Sequence, residues 1–86
     1  MEQITCVITD SNGIHARPAG LLVKEASKFK CKITVECNDK CGDAKKIFSL
    51  MSMGIKCGDS VTIRADGEDE HEAVKAISDF IKNNMH

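Results

Sequence analysis

The chain has 86 residues, of which 42% are hydrophobic, and a formal net charge of −1 at pH 7. A chain of this length forms one hydrophobic core, so we expect a single domain over residues 1–86 without a deep, enclosed substrate cavity. The near-neutral charge and the absence of Trp and Tyr argue against a nucleic-acid-binding protein, which needs a cationic surface and aromatic stacking platforms.

The hydropathy of the chain predicts no membrane segment. No apolar run reaches the roughly 18 residues that a bilayer-spanning helix needs. Residues 1–5 also lack the basic and apolar regions of a secretory signal. We therefore expect a cytoplasmic protein without membrane insertion.

Five cysteines raise the question of a disulfide framework or a metal site: Cys6, Cys31, Cys37, Cys41 and Cys57. The number is odd, no C-x-x-C pair occurs, and the pair at 37 and 41 brackets a predicted turn without a histidine nearby. We therefore expect reduced thiols that pack as small apolar residues, and no bound metal. A thiol redox or metal-binding protein is the alternative that the cysteines leave open.

The first half of the chain predicts a strand, a helix and a hairpin. Residues 4–9 alternate between apolar and polar and end in turn formers, and residues 16–29 carry apolar residues at helical spacing. Residues 32–36 alternate again, and the turn at 38–40 leads into a weak strand near Cys41.

The second half predicts a helix, a strand and a helix. Residues 44–53 have a short helical pattern that Gly54 terminates, and residues 60–65 form a clear alternating strand. Asp69 followed by Glu72 resembles a capping box at the start of the last helix. The apolar face of that helix contains Val74, Ile77, Phe80 and Ile81.

These elements follow one another in the order β-α-β-β-α-β-α. The strands are too short and too few for a doubly wound parallel sheet. An α+β fold, with a four-stranded antiparallel sheet and three helices on one face, buries the apolar side of every element.

The segment GIHARP at residues 13–18 places a histidine directly before a helix. The first N–H groups of a helix have no partner within it and carry partial positive charge, so they suit an anion. The N–H groups of Ala16 and Arg17 could bind a phosphoryl group on His15, and the Arg17 guanidinium could neutralise one of its oxygens. Pro18 fits the first helical turn. The same helix end disfavours imidazolium, which keeps His15 neutral and nucleophilic.

A single histidine before a helix is more often a surface residue or a poor cap. The combination of glycine, histidine, arginine and proline within six residues favours a phosphoryl acceptor. Extended by Ala19, the motif resembles the active-site motif of HPr, the histidine-containing phosphocarrier of the phosphoenolpyruvate-dependent sugar phosphotransferase system. The resemblance continues through residues 24–29, 51–55, 58–63 and 67–70 and covers essentially the whole chain.

The resemblance implies an open-faced β-sandwich and a phosphoryl relay. Phosphoryl would pass from phosphoenolpyruvate through enzyme I to Nδ1 of His15, and then to the IIA domains of sugar permeases, while Arg17 steadies the group. The chain would then be a covalent carrier, not an enzyme, and it would need no cofactor. We expect it to be a monomer.

The resemblance also implies a surface that docks both partners, formed by Gly20, Lys24, Ile47, Phe48 and Met51. Apolar residues at helical spacing are more often core, so we expect Leu50 and one neighbour to face inward and Phe48 to face solvent. The segment from Lys24 to Lys46 contains seven lysines, which form a solvated face that could steer an acidic partner.

One position departs from the family pattern. In HPr proteins of many Gram-positive bacteria, a serine that opens the second helix is phosphorylated by an ATP-dependent kinase, and here that position is Lys46. Its charge near a helix N-terminus is unfavourable by about 0.3–1 kcal/mol, which Asp43 could offset by capping the helix earlier. We expect kinase-dependent regulation to be absent, with Ser49 and Ser52 as weak alternative acceptors.

A second possibility within the same fold is a regulatory or nitrogen-branch carrier that serves a dedicated partner. The intact pair His15 and Arg17 favours a working relay. His71 and His86 lack a neighbouring arginine and helix start, so we assign them no catalytic role.

Overall fold

The protein is described by a computed structural model that covers residues 1–8 and 16–84. Its strands are β1 (Glu2–Val7), β2 (Lys32–Cys37), β3 (Lys40–Asp43) and β4 (Ser60–Asp66). Its helices are α1 (Ala16–Ala26), α2 (Ile47–Met51) and α3 (Glu70–Asn84). The predicted order β-α-β-β-α-β-α is therefore confirmed.

The strands form one antiparallel sheet in the order β1-β4-β2-β3. Val35 in β2 lies between Ile63 of β4 and Gly42 of β3, and Cys6 of β1 lies opposite Val61 of β4. Strand alternation sends these residues to the face that the helices cover, where they are buried. The other face is polar and partly exposed, as the predicted open-faced architecture requires.

The core lies between the sheet and the helices. Each helix presents one apolar stripe to the sheet, because residues three and four apart share a helical face. The fully buried helical side chains are Ala19, Leu22 and Ala26 in α1, Leu50 in α2, and Ala73, Ile77 and Ile81 in α3. No helix within the described residues is long and apolar enough to cross a membrane.

Two predicted helices are shorter than expected. α1 ends at Ala26 instead of residue 29, although Phe29 still packs against the core. α2 covers Ile47–Met51 instead of residues 44–53, because the Asp43 carboxylate accepts the Lys45 N–H at 2.8 Å and holds a turn before the helix. Thr9, the last residue of the first predicted strand, lies outside the described residues.

The predicted capping box at the start of α3 is wrong. The Asp69 carboxylate accepts the backbone N–H groups of Lys30 and Cys31 at 2.8 and 3.0 Å, and so joins the loop after α1 to the start of α3. Glu70, not Glu72, reaches back and accepts the Gly67 N–H at 3.3 Å. The bonds from the N–H groups of Lys30 and Cys31 hold the pKa of the Asp69 carboxyl below its usual value, with the bond from Lys30 as the main cause, because they favour the ionised form.

Candidate functional site

The predicted phosphoryl acceptor, His15, lies outside the described residues. The helix predicted to follow it does begin at Ala16, so the backbone of Ala16, Arg17 and Pro18 forms the first turn of α1. That turn contains no acidic residue. No acidic side chain of that turn would therefore oppose an anion held at the positive end of the helix.

The chain that leads toward His15 is anchored at Ile8. The Ile8 N–H donates to the Asp59 carbonyl at 2.9 Å, and the Gly58 N–H donates to the Ile8 carbonyl at 2.7 Å. The Asp59 carboxylate in turn accepts the Lys56 N–H at 2.9 Å, and Gly58 has a φ of +92°, which favours glycine. The turn before β4 therefore fixes the position of Ile8, the last described residue before the segment 9–15.

The predicted docking residues come together where α1 meets α2. A Cβ placed on Gly20 would lie 3.6 Å from Cδ1 of Ile47, an ordinary van der Waals distance, so Gly20 faces Ile47 where the two helices meet. Lys24 is exposed one helical turn after Gly20. Phe48 is 84% exposed and Met51 is 41% exposed, so both present apolar surface to solvent.

One exposed apolar residue of α1 was not predicted from the sequence. Leu21 is 44% exposed in α1. It lies outside the helical stripe formed by the buried residues 19, 22 and 26, and this spacing is the sequence feature that could have predicted its exposure. We define the α1–α2 patch as Ile47, Phe48 and Met51 of α2 together with Gly20 of α1, which faces Ile47. The expected split within α2 is confirmed, since Leu50 is fully buried, Ile47 is partly buried and Phe48 faces solvent.

Lys46 occupies the N-cap of α2. Its backbone is extended, with φ −128° and ψ 115°, and its side chain makes no capping hydrogen bond. The expectation that Asp43 caps the helix earlier is wrong: its carboxylate accepts the Lys45 N–H and its carbonyl accepts the Lys46 N–H at 3.0 Å, in a turn that precedes the helix. The first turn of α2 carries no acidic residue that could offset the lysine charge.

The two serines of this region differ in accessibility. Ser49 Oγ accepts the Asp43 N–H at 2.8 Å in a partly buried position and so joins α2 to β3. Ser52 Oγ donates to the Ser49 carbonyl at 2.9 Å and is exposed. Of the pair, Ser52 is the more accessible hydroxyl.

The lysines of this region are not a uniform solvated face. Lys45 Nζ donates to the Phe29 carbonyl at 2.7 Å and so joins the segment before α2 to the loop after α1. Lys28 pairs with Glu25 at 2.9 Å. Lys24 and Lys46 are exposed, and neither forms an ion pair within the described part of the chain.

The cysteines divide by burial. Cys6, Cys31 and Cys37 are buried free thiols, whereas Cys41 and Cys57 are exposed. Burial, with the neighbouring Asp69 carboxylate, raises the pKa of the Cys31 thiol to about 11. Cys31 is therefore a protonated core residue at neutral pH and not a nucleophile. Among the described residues, no three His, Cys, Asp or Glu side chains are placed to hold a metal ion.

Comparison with known proteins decides the family. The model of the PTS HPr component phosphorylation site matches residues 2–83. The chain belongs to the HPr family. It is thus an HPr-type phosphocarrier of the phosphotransferase system.

Relatives resemble this HPr-family chain over nearly its full length. It is 49% identical to the phosphocarrier protein HPr of Mycoplasma capricolum over 77 residues, which are 90% of this chain and 86% of the relative. The solved histidine-containing phosphocarrier protein of a mycoplasma superposes with a TM-score of 0.95 at 44% identity and covers 98% of this chain and 96% of its own. A solved HPr dimer from Thermoanaerobacter tengcongensis has a TM-score of 0.78 at 43% identity, with coverage of 100% and 99%.

Proposed function

We propose that this HPr-family chain accepts a phosphoryl group on His15 from phospho-enzyme I and passes it to the IIA domains of sugar permeases. The observation that carries the proposal is the start of α1 at Ala16, directly after His15, in a chain whose family is a family of phosphocarriers. The chain acts in the cytoplasm as a single-domain carrier and has no small-molecule turnover of its own.

The first turn of α1 supplies the chemistry of transfer. Neutral His15 attacks phosphorus through Nδ1, and the new P–N bond forms while the bond between phosphorus and the donor's leaving atom breaks. The backbone N–H groups of Ala16 and Arg17 and the Arg17 guanidinium stabilise the phosphoryl oxygens, and Pro18 keeps the turn helical. The same steps run in reverse when the group passes to the acceptor.

The α1–α2 patch docks both partners in turn. Phe48 and Met51 supply the apolar contact, Gly20 faces Ile47, and Lys24 lies at the rim. The patch lies beside the first turns of α1, so a partner seated on it reaches the residue before that helix. The related dimer is a property of that protein, and the monomeric state of this chain stays a prediction.

Regulation by phosphorylation of a serine is not part of the proposed function. Lys46 cannot accept a phosphoryl ester, and the hydroxyl of Ser49 is held by the Asp43 N–H, which leaves Ser52 as the weak alternative. Incubation with an HPr kinase and ATP should therefore give no stable phosphoserine. A phosphoserine found by mass spectrometry would contradict this part of the proposal.

The central test is phosphorylation with phosphoenolpyruvate and enzyme I. We expect an acid-labile, alkali-stable adduct on the wild-type chain and none on His15→Ala. His71→Ala is the matched control, because His71 is exposed on α3, away from the start of α1, and its loss should leave labelling unchanged. An adduct that persists in His15→Ala would refute the assignment.

A further inference from the structure

The two edges of the sheet differ in how they are covered. β3 is short, and Ser49 Oγ of α2 accepts the N–H of Asp43 at 2.8 Å. A Cβ on Gly42 would lie 2.7 Å from the Met53 sulfur, so the chain also packs closely against this strand. The opposite edge is β1, and no other element bonds to the outer side of its backbone within residues 1–8 and 16–84. An uncovered edge of this kind is a template for pairing with another chain.

The free backbone groups of β1 are identified from Ile8. Its N–H and its C=O both bond to the turn before β4, at 2.9 and 2.7 Å. Backbone groups alternate in direction along an antiparallel strand, so those of the even-numbered residues of β1 also point to β4. The N–H and C=O groups of Gln3, Thr5 and Val7 therefore point away from the sheet and line the open edge.

Helix α3 runs along this edge. The Nδ1 atom of His71 lies 3.9 Å from a carboxylate oxygen of Glu2, near the start of both elements. Further along, the Sγ atom of Cys6 lies 3.9 Å from Oγ of Ser78. Positions 71 and 78 are two helical turns apart and share one stripe of α3. That stripe therefore borders β1 along most of its length.

Two lysines occupy the same stripe. Lys75 and Lys82 lie four residues after positions 71 and 78, and residues four apart are neighbours on a helix surface. Both are exposed, and neither forms an ion pair or a printed side-chain hydrogen bond in the described part of the chain. Lys28, in contrast, pairs with Glu25. Two cations without an internal partner thus flank the open edge of β1.

We propose that the edge of β1 binds an extended acidic segment of a partner protein, which joins the sheet as a further strand. The outward groups of Gln3, Thr5 and Val7 bond to the backbone of the segment, and carboxylates on alternate residues of the segment face Lys75 and Lys82. The backbone bonds supply affinity, and the lysines select the acidic partner. This surface lies at the other end of the sheet from α2, so it does not depend on docking at the α1–α2 patch.

A second copy of the chain suits this edge less well. Pairing two β1 strands about a two-fold axis would place the two α3 helices on the same face of the joined sheet, with their lysine flanks toward each other. Lys75 and Lys82 of one copy would then approach those of the other, and like charges repel. Glu2 is the one acidic residue in the six of β1, so the strand itself offers little compensation.

The test uses the full chain and an acetylated peptide of about ten residues in which valine and glutamate alternate. NMR titration should shift the backbone amides of Gln3, Thr5 and Val7 and slow their hydrogen exchange, and the shifts give the Kd. The amides of Phe48 and Met51 should not move. A peptide of alternating valine and lysine is the matched control and should not bind.

Two kinds of variant separate the backbone contribution from the charge. Thr5→Pro removes an outward N–H and leaves the ladder to β4 intact, so it should fold and raise the Kd by about two- to ten-fold. Lys75→Gln combined with Lys82→Gln should raise the Kd by about three- to thirty-fold at low salt, and by less near 1 M salt. Lys32→Gln combined with Lys40→Gln changes net charge equally at exposed positions of β2 and β3 and should match the wild type.

The opposite results would overturn the inference. They are no binding of the acidic peptide, binding that shifts the α1–α2 patch in place of β1, or an equal Kd for the wild type and the variant that lacks both α3 lysines. Slower exchange of the β1 amides at rising protein concentration, without peptide, would assign the edge to a second copy and would overturn it too. None of these results bears on phosphorylation of His15.

Discussion

Replacing Phe48 by alanine should separate the binding role of α2 from its structural role. The Phe48 side chain is 84% exposed, so folding hides only about a sixth of its surface. A phenylalanine side chain offers roughly 200 Å² of surface, so about 30 Å² is hidden. At about 25 cal/mol per Å², the loss in the free energy of unfolding should stay below about 1 kcal/mol.

The effect on partner binding should be much larger. If docking covers the remaining surface of the ring, the same coefficient gives an upper limit of about 4 kcal/mol, and buried aromatic anchors commonly contribute 2 kcal/mol or more. We therefore expect the Kd for enzyme I to rise by about 30- to 800-fold in Phe48→Ala. Calorimetric titration with enzyme I measures the affinity, and urea denaturation measures the stability.

Leu50→Ala provides the opposite control within the same five-residue helix. Leu50 is fully buried, so its truncation should lower the free energy of unfolding by about 2–5 kcal/mol. If Phe48→Ala destabilises the fold by more than about 2 kcal/mol, or binds enzyme I as tightly as the wild type, the assignment of Phe48 to an interface is wrong.

Two further predictions concern the junction between the loop after α1 and the start of α3. Gly67→Ala should lower the free energy of unfolding by about 2–5 kcal/mol, because its φ is +153° and a new Cβ would lie 2.7 Å from Cβ of Cys31. Gly54→Ala, with a φ of +64° and open space around the Cβ, should lower it by only about 1–2 kcal/mol, and equal losses in urea denaturation would contradict the argument. Asp69→Asn should flatten the acid limb of the stability curve. Folding lowers the pKa of this carboxyl, so its contribution to the free energy of unfolding is fully present above pH 3.8 and is lost as the pH falls through the pKa of the folded state. An acid limb that is unchanged in Asp69→Asn would refute the prediction.

Local sequence patterns predicted most of the fold. Alternation at residues 60–65 matches β4, and the start of α1 at Ala16 follows from the proline and the apolar spacing of the helix. The opposite exposures of Phe48 and Leu50 were likewise expected. Each depends on the periodicity of a single element, which the sequence displays directly.

Bonds between distant parts of the chain were not predictable in this way. The spacing of Asp69 and Glu72 predicts a local helix cap. The Asp69 carboxylate instead accepts N–H groups 38 and 39 residues away. The same reasoning applies to Lys45, whose partner is the carbonyl of Phe29. A side chain with both a local and a distant partner available takes the one that packing brings within reach.

The sequence by itself therefore determined the order of the elements, the family and the candidate acceptor His15, because these reside in motif spacing and periodicity. Only the tertiary structure decided that Leu21 is exposed and that α2 begins after a turn held by Asp43. It also separated Lys45, which bonds to the Phe29 carbonyl, from Lys46, which faces solvent beside the patch. The physical reason is that these roles depend on which surfaces meet when the helices pack on the sheet.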